Sequence, residues 1–268
     1  MTAEETSRRS ASEIFDRAVA SGEEEMARPA HNLAFSALAS GLGMGLSGLG
    51  VALVLSTLGR TAFGETVAYL AYSIGFVVVI LGRQQLFTEN TLFPVVATLR
   101  NRTLLGRTAR LWAVVLAGNV IGTTVFGLLA ARSPALPPDA LRELALLGSE
   151  QAGKPFGSVF WSAVLAGWII ALVAWLVTAG NDTGGQVLVV VLLTSVVGLG
   201  GFAHSIAGSA EVLTALFAGA TGIEAAVWWH VAAVLGNAVG GVVIVALFNY
   251  GQVHTSRSSG RRQVAARR

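Results

Sequence analysis

The sequence predicts an all-α integral membrane protein with six transmembrane helices, built as two inverted three-helix repeats whose second and fifth spans are broken. Three observations carry that prediction. Of the 268 residues, 53% are hydrophobic and only 12% charged, against about 25% charged in soluble domains. The 18 basic and 15 acidic side chains collect near the two ends and in stretches between apolar blocks that are themselves almost free of charge. The pattern Gly-Asn-x-x-Gly occurs twice, at Gly118-Asn119 with Gly122 and at Gly236-Asn237 with Gly240, each time after an interrupted apolar block. This composition excludes disorder, a collagen-like chain and a nucleic-acid-binding domain, so no nucleic-acid partner is expected. Without cysteine there is no disulfide, thiolate catalysis or Cys-ligated metal, and neither cofactor nor metal is expected.

Residues 1–29 read as a cytoplasmic segment. The opening MTAEETSRRS has no apolar core after it, so no cleaved signal peptide is expected. Between Ser12 and Met26, the apolar Ile14, Phe15, Ala18, Val19 and Met26 stand among Glu13, Asp16, Arg17 and Glu23 to Glu25, the pattern of a short amphipathic helix at a membrane surface. Residues 30–250 carry the six spans. The first, Leu33 to Leu58, is uncharged and longer than the roughly 20 residues a bilayer core requires. The second begins with Val67 to Leu81, is interrupted by Gly82-Arg83-Gln84-Gln85 and resumes as LFTENTLFPVVATL. The third runs from Leu111 to Ala131 and the fourth from Val159 to Val177. The fifth, Val187 to Leu199, breaks at Gly200-Gly201-Phe202-Ala203-His204-Ser205 and resumes as IAGSAEVLTALFAG, and the sixth covers Ala226 to Phe248. Residues 251–268 form a basic tail bearing Arg257, Arg261, Arg262, Arg267 and Arg268.

Six spans put both termini on one side. Arg100, Arg102, Arg107 and Arg110, between spans two and three, and the tail arginines assign that side to the cytoplasm. Arg60, the mixed-charge segment Arg132 to Pro155 and the link Gly219–Glu224 fall on the other side. The expected location is the cell (inner) membrane. Three spans per half is an odd number, so the second half must enter the bilayer upside down relative to the first. Thr88 precedes Asn119 by nearly the interval that separates His204 from Asn237, so the halves match in order and spacing. Paired interrupted spans in an inverted repeat point to a translocation site near the midplane.

Gly43-Met44-Gly45-Leu46-Ser47-Gly48 fits a dinucleotide-binding glycine pattern but lacks the preceding strand and the downstream acid that such a site needs. Small residues at close helix contacts explain it better. His204 is the one histidine expected deep in the membrane: His31 precedes the first span, His230 lies near the start of the sixth and His254 is in the tail. An ionisable group at that depth points to function. Thr88 occupies the corresponding break. Its hydroxyl is expected to cap the half-helix at Glu89-Asn90-Thr91, and Ser205 the one beside His204, which sets two positive dipole ends near the membrane centre and favours an anion. Arg83, Glu89 and Glu211 are expected to form an ion-paired cluster bracing the breaks. Trp161, Trp175, Trp228 and Trp229, near span ends, are expected in interfacial belts.

The Leu86-Phe87-Thr88 turn followed by Glu89-Asn90-Thr91, the paired Gly-Asn-x-x-Gly motifs and Gly201-Phe202-Ala203-His204-Ser205 resemble the formate/nitrite transporter family, and most closely its YfdC-like branch. The resemblance covers Ala30 to Tyr250. It implies an aquaporin-like fold, a homopentamer with one pore per protomer, and passage of small monovalent anions of weak acids such as formate, nitrite or hydrosulfide. It implies Thr88 and His204 as the central hydrogen-bonding pair, Leu86 at the cytoplasmic constriction, and Phe202 and Asn237 along the pore, with Lys154 loosely matching a lysine of the outer vestibule. Two positions depart from the family pattern: Ala203 stands where an acid precedes the histidine, and Gly167 where the fourth helix carries an asparagine.

The function expected is therefore a channel or transporter for such anions, with a proton linked to passage through His204, a bilayer around it and copies of the same chain as partners. Flux should then rise as pH falls, and His204→Asn should lose that dependence. A neutral-solute channel is the alternative, although the two Asn-Pro-Ala half-helix motifs that would favour water are absent. A non-conducting membrane scaffold is the other. An enzyme is not expected, because Thr88 and one histidine supply neither a metal site nor a nucleophile with a placed base.

Overall fold

The computed structural model describes residues 9–248 and 250–252, and every regular element among them is helical. The arginines of the tail and His254 lie outside the described residues. In chain order the helices are α1 (Ala11–Ala27), α2 (Ala30–Leu58), α3 (Ala62–Ala71), α4 (Ser73–Leu81), α5 (Phe93–Arg100), α6 (Leu105–Arg132), α7 (Pro138–Ala152), α8 (Phe156–Ala179), α9 (Thr183–Leu199), α10 (Ala207–Phe217) and α11 (Ile223–Val239). A 3₁₀ turn, Glu89–Thr91, precedes α5, and α11 continues into a π-helical stretch, Gly240–Leu247. Five helical stretches are long and apolar enough to cross a bilayer: Ala30–Leu58, Ala62–Leu81, Arg102–Arg132, Phe156–Ala179 and Ile223–Gln252. The expected fifth span is represented by two shorter apolar helices, α9 and α10.

Local sequence explains the ends of these elements. Ser10 and Glu13 form a reciprocal capping box at the start of α1. The apolar face of α1, with Phe15, Val19 and Met26, is buried against protein, and Gly22 has no room for a side chain because the Phe93 carbonyl of α5 lies against it. At the far ends of α4 and α9 the chain turns the same way. The N–H of Gln84 reaches the carbonyl of Val79 and that of Phe202 the carbonyl of Val197, around residues in the left-handed region, Arg83 at φ 50° and Gly201 at φ 57°.

The glycine pattern of α2 is a packing surface. Side chains at Gly41, Gly45 and Gly48 would collide with the Asn119 backbone, the Phe126 ring and the Glu211 side chain. The α8–α11 pair repeats the α2–α6 contact position by position. Gly118 meets Ala37 and Gly236 meets Ala163, while Gly122 meets the Leu38 carbonyl and Gly240 the Val164 carbonyl. In this scheme Gly167 answers Gly41, because its α-carbon lies against the Asn237 backbone as that of Gly41 lies against Asn119. The departure at position 167 thus has a physical cause: no side chain fits there.

One helix was not foreseen. The mixed-charge segment read as a loop contains α7, which begins with proline in its first turn and buries Ala140, Leu144, Gly148 and Ala152 at four-residue intervals. Gly148 lies against the Glu211 carbonyl of α10. Arg60, in the turn between α2 and α3, joins α7 through Glu143 and Glu150, both at 3.0 Å. On the opposite face, Arg100 pairs with Asp16 at 3.3 Å and Arg110 donates to the carbonyls of Met26 and Arg28 at 2.9 Å. Phe35, Phe63, Ile121, Trp161, Leu192 and Trp228 project outward between the two polar faces, as lipid- or subunit-facing side chains do. Trp175 and Trp229, expected with Trp161 and Trp228 in interfacial belts, are buried instead at 8% and 2% exposure.

Candidate functional site

The two chain breaks meet at the centre of the protein, and each is braced by the asparagine of its own half. Asn119 Oδ1 accepts the N–H of Phe87 at 2.9 Å and its amide donates to the carbonyls of Ala37 and Gln85 at 2.7 and 2.8 Å. Asn237 Oδ1 accepts the N–H of Ser205 at 2.7 Å and its amide donates to the carbonyls of Ala163 and Ala203 at 2.7 and 2.9 Å. Both N–H bonds span 32 positions of sequence. In each half, one side-chain amide satisfies two backbone groups that the broken span leaves without helical partners and ties them to a carbonyl of the neighbouring helix, Ala37 of α2 or Ala163 of α8. Asn237 is therefore a brace, and Asn119 is its equal.

Thr88 and His204 follow immediately. Thr88 is fully buried, His204 nearly so, and Thr88 Oγ1 lies 2.9 Å from His204 Nε2. Nδ1 of the same ring accepts the N–H groups of Ile206 and Ala207 at 3.3 and 3.1 Å. A nitrogen that accepts carries no hydrogen, so the proton of the neutral ring sits on Nε2 and is donated to Thr88 Oγ1. The Thr88 hydroxyl hydrogen then has no acceptor among the described residues. The expected caps are corrected accordingly. The His204 ring, not the Ser205 hydroxyl, caps α10, and Ser205 Oγ has no partner among the described residues. The Thr88 hydroxyl faces the histidine rather than its own half-helix. The positive end of α10 is thus presented through the imidazole. Phe76, which sequence reasoning missed, packs its ring edgewise on His204 with centroids 4.9 Å apart.

A cavity opens on each side of this pair. The larger, about 420 Å³, lies beside α1 and is lined by Arg83, Gln85, Leu86 and Glu89 among others. The smaller, about 130 Å³, lies beside α7 and is lined by Lys154, Phe202, His204, Glu211 and Trp229 among others. No lining residue is shared, and Thr88 borders neither. Leu86 and Phe202 stand at corresponding places, each two residues before the polar member of its break. Lys154 Nζ donates to Gln151 Oε1 at 2.9 Å and to the Gly201 carbonyl at 3.3 Å. Burial at the cavity wall holds its ammonium below the usual lysine range, against the opposing influence of Glu211 and Glu150.

The expected charge cluster does not form. Glu211 lines the cavity opposite to the one that Arg83 and Glu89 border, and no ion pair joins Arg83 to either acid among the described residues. Arg83 is exposed at the mouth of a cavity, where no carboxylate is needed to offset burial. Among the described residues no group of three or more His, Asp or Glu could hold a metal ion.

Comparison with known proteins places this geometry in context. Residues 12–251 match the family described as Formate/nitrite transporter. The chain is 32% identical over 247 residues to Inner membrane protein YfdC of Escherichia coli strain K12, covering 91% of this chain and 79% of that one. Among solved structures, an FNT family ion channel superposes with a TM-score of 0.78 at 20% identity, over 89% of this chain and 98% of the other. A structure titled pentameric formate channel with formate bound gives 0.70 at 19% identity, over 84% and 98%. Two braced breaks in an apolar, multi-helix body, the length of the family match and the identity to a relative matched over 79% of its length converge: this membrane-spanning chain belongs to the formate/nitrite transporter family.

Proposed function

We propose that the protein is a channel or transporter for small monovalent anions of weak acids, formate-like in size and charge, with a proton linked to their passage at the Thr88–His204 pair. One observation carries this reading: a fully buried hydroxyl whose own hydrogen has no acceptor among the described residues, held by a histidine that is itself capped onto a helix N-terminus. An anion entering the centre loses hydration. The open Thr88 hydrogen and the Nε2–H group behind it are donors that offset that loss, and the positive end of α10 is coupled to them through the ring. Lys154 on one side attracts the anion, while Leu86 and Phe202 narrow the path where it must shed water.

In this reading α2 to α11 form six spans in two inverted halves, with the second and fifth broken. Residues 30–250 are the channel body, and residues 1–29 and 251–268 are cytoplasmic flanks. The α1 face, with Arg100, Arg102, Arg107 and Arg110, is the cytoplasmic one, and the membrane is the inner one, as the name of the YfdC relative suggests. The pentameric state named for the solved formate channel is proposed for this chain as well. Formate uptake into proteoliposomes containing the purified protein tests the function. Uptake well above empty vesicles is expected. Glycerol uptake without formate uptake would replace the reading with a neutral-solute channel, and uptake of neither with a scaffold.

A further inference from the structure

The family reading gives Glu211 no task, yet its surroundings are specific. It lies on α10 two helical turns beyond His204, is 6% exposed and lines the cavity beside α7. No hydrogen bond or ion pair reaches its carboxyl group among the described residues. Room for it is built in: a β-carbon at Gly48 of α2 would lie 2.8 Å from its Cγ and 3.1 Å from Oε1. A second residue of the same wall is also short of a partner: Trp229 is 2% exposed and its buried indole Nε1–H has no acceptor among the described residues, the ring being admitted by Gly208, where a side chain would overlap it. Lys154 borders the cavity with no contact to Glu211 within salt-bridge range. The remaining polar groups around it are Tyr69 and Tyr72 of the α3–α4 span, Glu150 and Gln151 of α7, and His204 of the break. Helices α2, α6 and α9 carry no charged residue toward it between Leu33 and Leu58, Leu111 and Ala131, or Thr183 and Leu199, and α11 brings His230 against α10 at Ser209, its Nδ1 2.6 Å from the hydroxyl.

A cavity with one ammonium and one open carboxyl matches a small carboxylate together with its proton. When a monocarboxylate anion settles near Lys154, two carboxylates occupy one small space. Like charges this close are tolerated when they share a proton. We propose that Glu211 is a proton-carrying group of the pore, which enters the reaction protonated and passes its proton to the bound weak-acid anion before the anion meets the Thr88–His204 pair. The O–H bond of the Glu211 carboxylic acid breaks, an O–H bond of the substrate acid forms, and the Glu211 carboxylate regains a proton from water on the α7 side. The anion and its proton then cross the apolar constriction together, a carboxyl oxygen accepting the Thr88 hydrogen in place of water. An ionisable residue at membrane depth normally has such a functional use.

The proposal rests on the anion reading above, and its test separates the two. Formate uptake is measured between pH 5 and pH 8 in proteoliposomes with wild type, Glu211→Gln and Glu211→Asp at matched assembly state. Glu211→Gln cannot release a proton, so it is expected to keep uptake at pH 5, where more acid is already protonated in solution, and to lose about tenfold at pH 8, a barrier change of about 1.4 kcal/mol. Glu211→Asp should restore the alkaline uptake in part. This steepened profile differs from the flat one expected of His204→Asn. A wild-type profile for Glu211→Gln overturns the proposal while leaving the anion reading intact. Failure of both variants to assemble overturns it in favour of a structural role. Absence of formate uptake by wild type defeats the anion reading, and the proton role falls with it.

Discussion

At the residue scale, the protein places hydrogen-bond donors where water is excluded and leaves the Thr88 hydroxyl hydrogen open at the meeting point of the two breaks. His204 illustrates how this works without a charged side chain: two backbone N–H groups hold Nδ1, which dictates where the ring hydrogen goes. The residue types at the breaks, Thr88 and His204, were legible in the sequence because a polar group inside an apolar block stands out. Which nitrogen faced which partner was not, since that depends on how the α10 N-terminus folds over the ring. Arg83 was misread for a related reason. A charge beside a broken span suggests an ion pair, but the structure gives it a backbone task, in the left-handed position that Gly201 fills in the other half. A non-glycine residue there costs roughly 1–2 kcal/mol. Arg83→Gly is therefore expected to raise the thermal unfolding temperature in detergent. A marked drop instead would restore the ion-pair account.

At the element scale, the two broken spans are held by one device used twice. The Gly-Asn-x-x-Gly motif combines close helix approach through glycine with a side-chain amide that serves three backbone groups. Asn237→Leu keeps the bulk but strands the Ser205 N–H and the Ala203 carbonyl of the break, at about 1–3 kcal/mol for each group, and cuts their tie to α8 at Ala163. We expect heat-treated samples to lose the assembled peak in gel filtration at a clearly lower temperature than wild type. An unchanged midpoint would show that Asn237 does not brace the break. The motif pairs were visible in the sequence as a repeat. The helix α7 was not, because its buried stripe of Ala140, Leu144, Gly148 and Ala152 has a single large apolar side chain, Leu144, among small residues and charges. Its proline start and four-residue interval were the available signals. The burial of Trp175 and Trp229 was also hidden, since position near a span end says nothing about which side of the helix a residue occupies.

At the scale of the whole molecule, polar groups are sorted onto two faces, apolar side chains point outward between them, and two cavities approach each other from those faces without sharing a wall residue. The exposed apolar surface has to meet lipid or further copies of the chain. A homopentamer is expected, and native mass measurement in mild detergent checks it: a monomer or trimer would contradict the proposed assembly. Composition alone made the membrane-spanning class readable, and the paired breaks made the site readable. The separation of Glu211 from Arg83 and Glu89 required three dimensions, since sequence distance does not say which cavity a half-helix faces.

In the proposed function, substrate passes the Thr88–His204 pair. Radiolabelled formate uptake into proteoliposomes, measured from pH 5 to pH 8 with wild type, Thr88→Val and His204→Asn at equal amounts of assembled protein, tests it most directly. Thr88→Val deletes the open donor and keeps the shape, so uptake should fall about tenfold or more, the loss expected when one buried hydrogen bond worth about 1.4 kcal/mol disappears. Wild-type uptake should rise as pH falls, and His204→Asn should flatten that rise. Wild-type rates and a wild-type pH profile in both variants would contradict the account and move the path of the anion away from this pair.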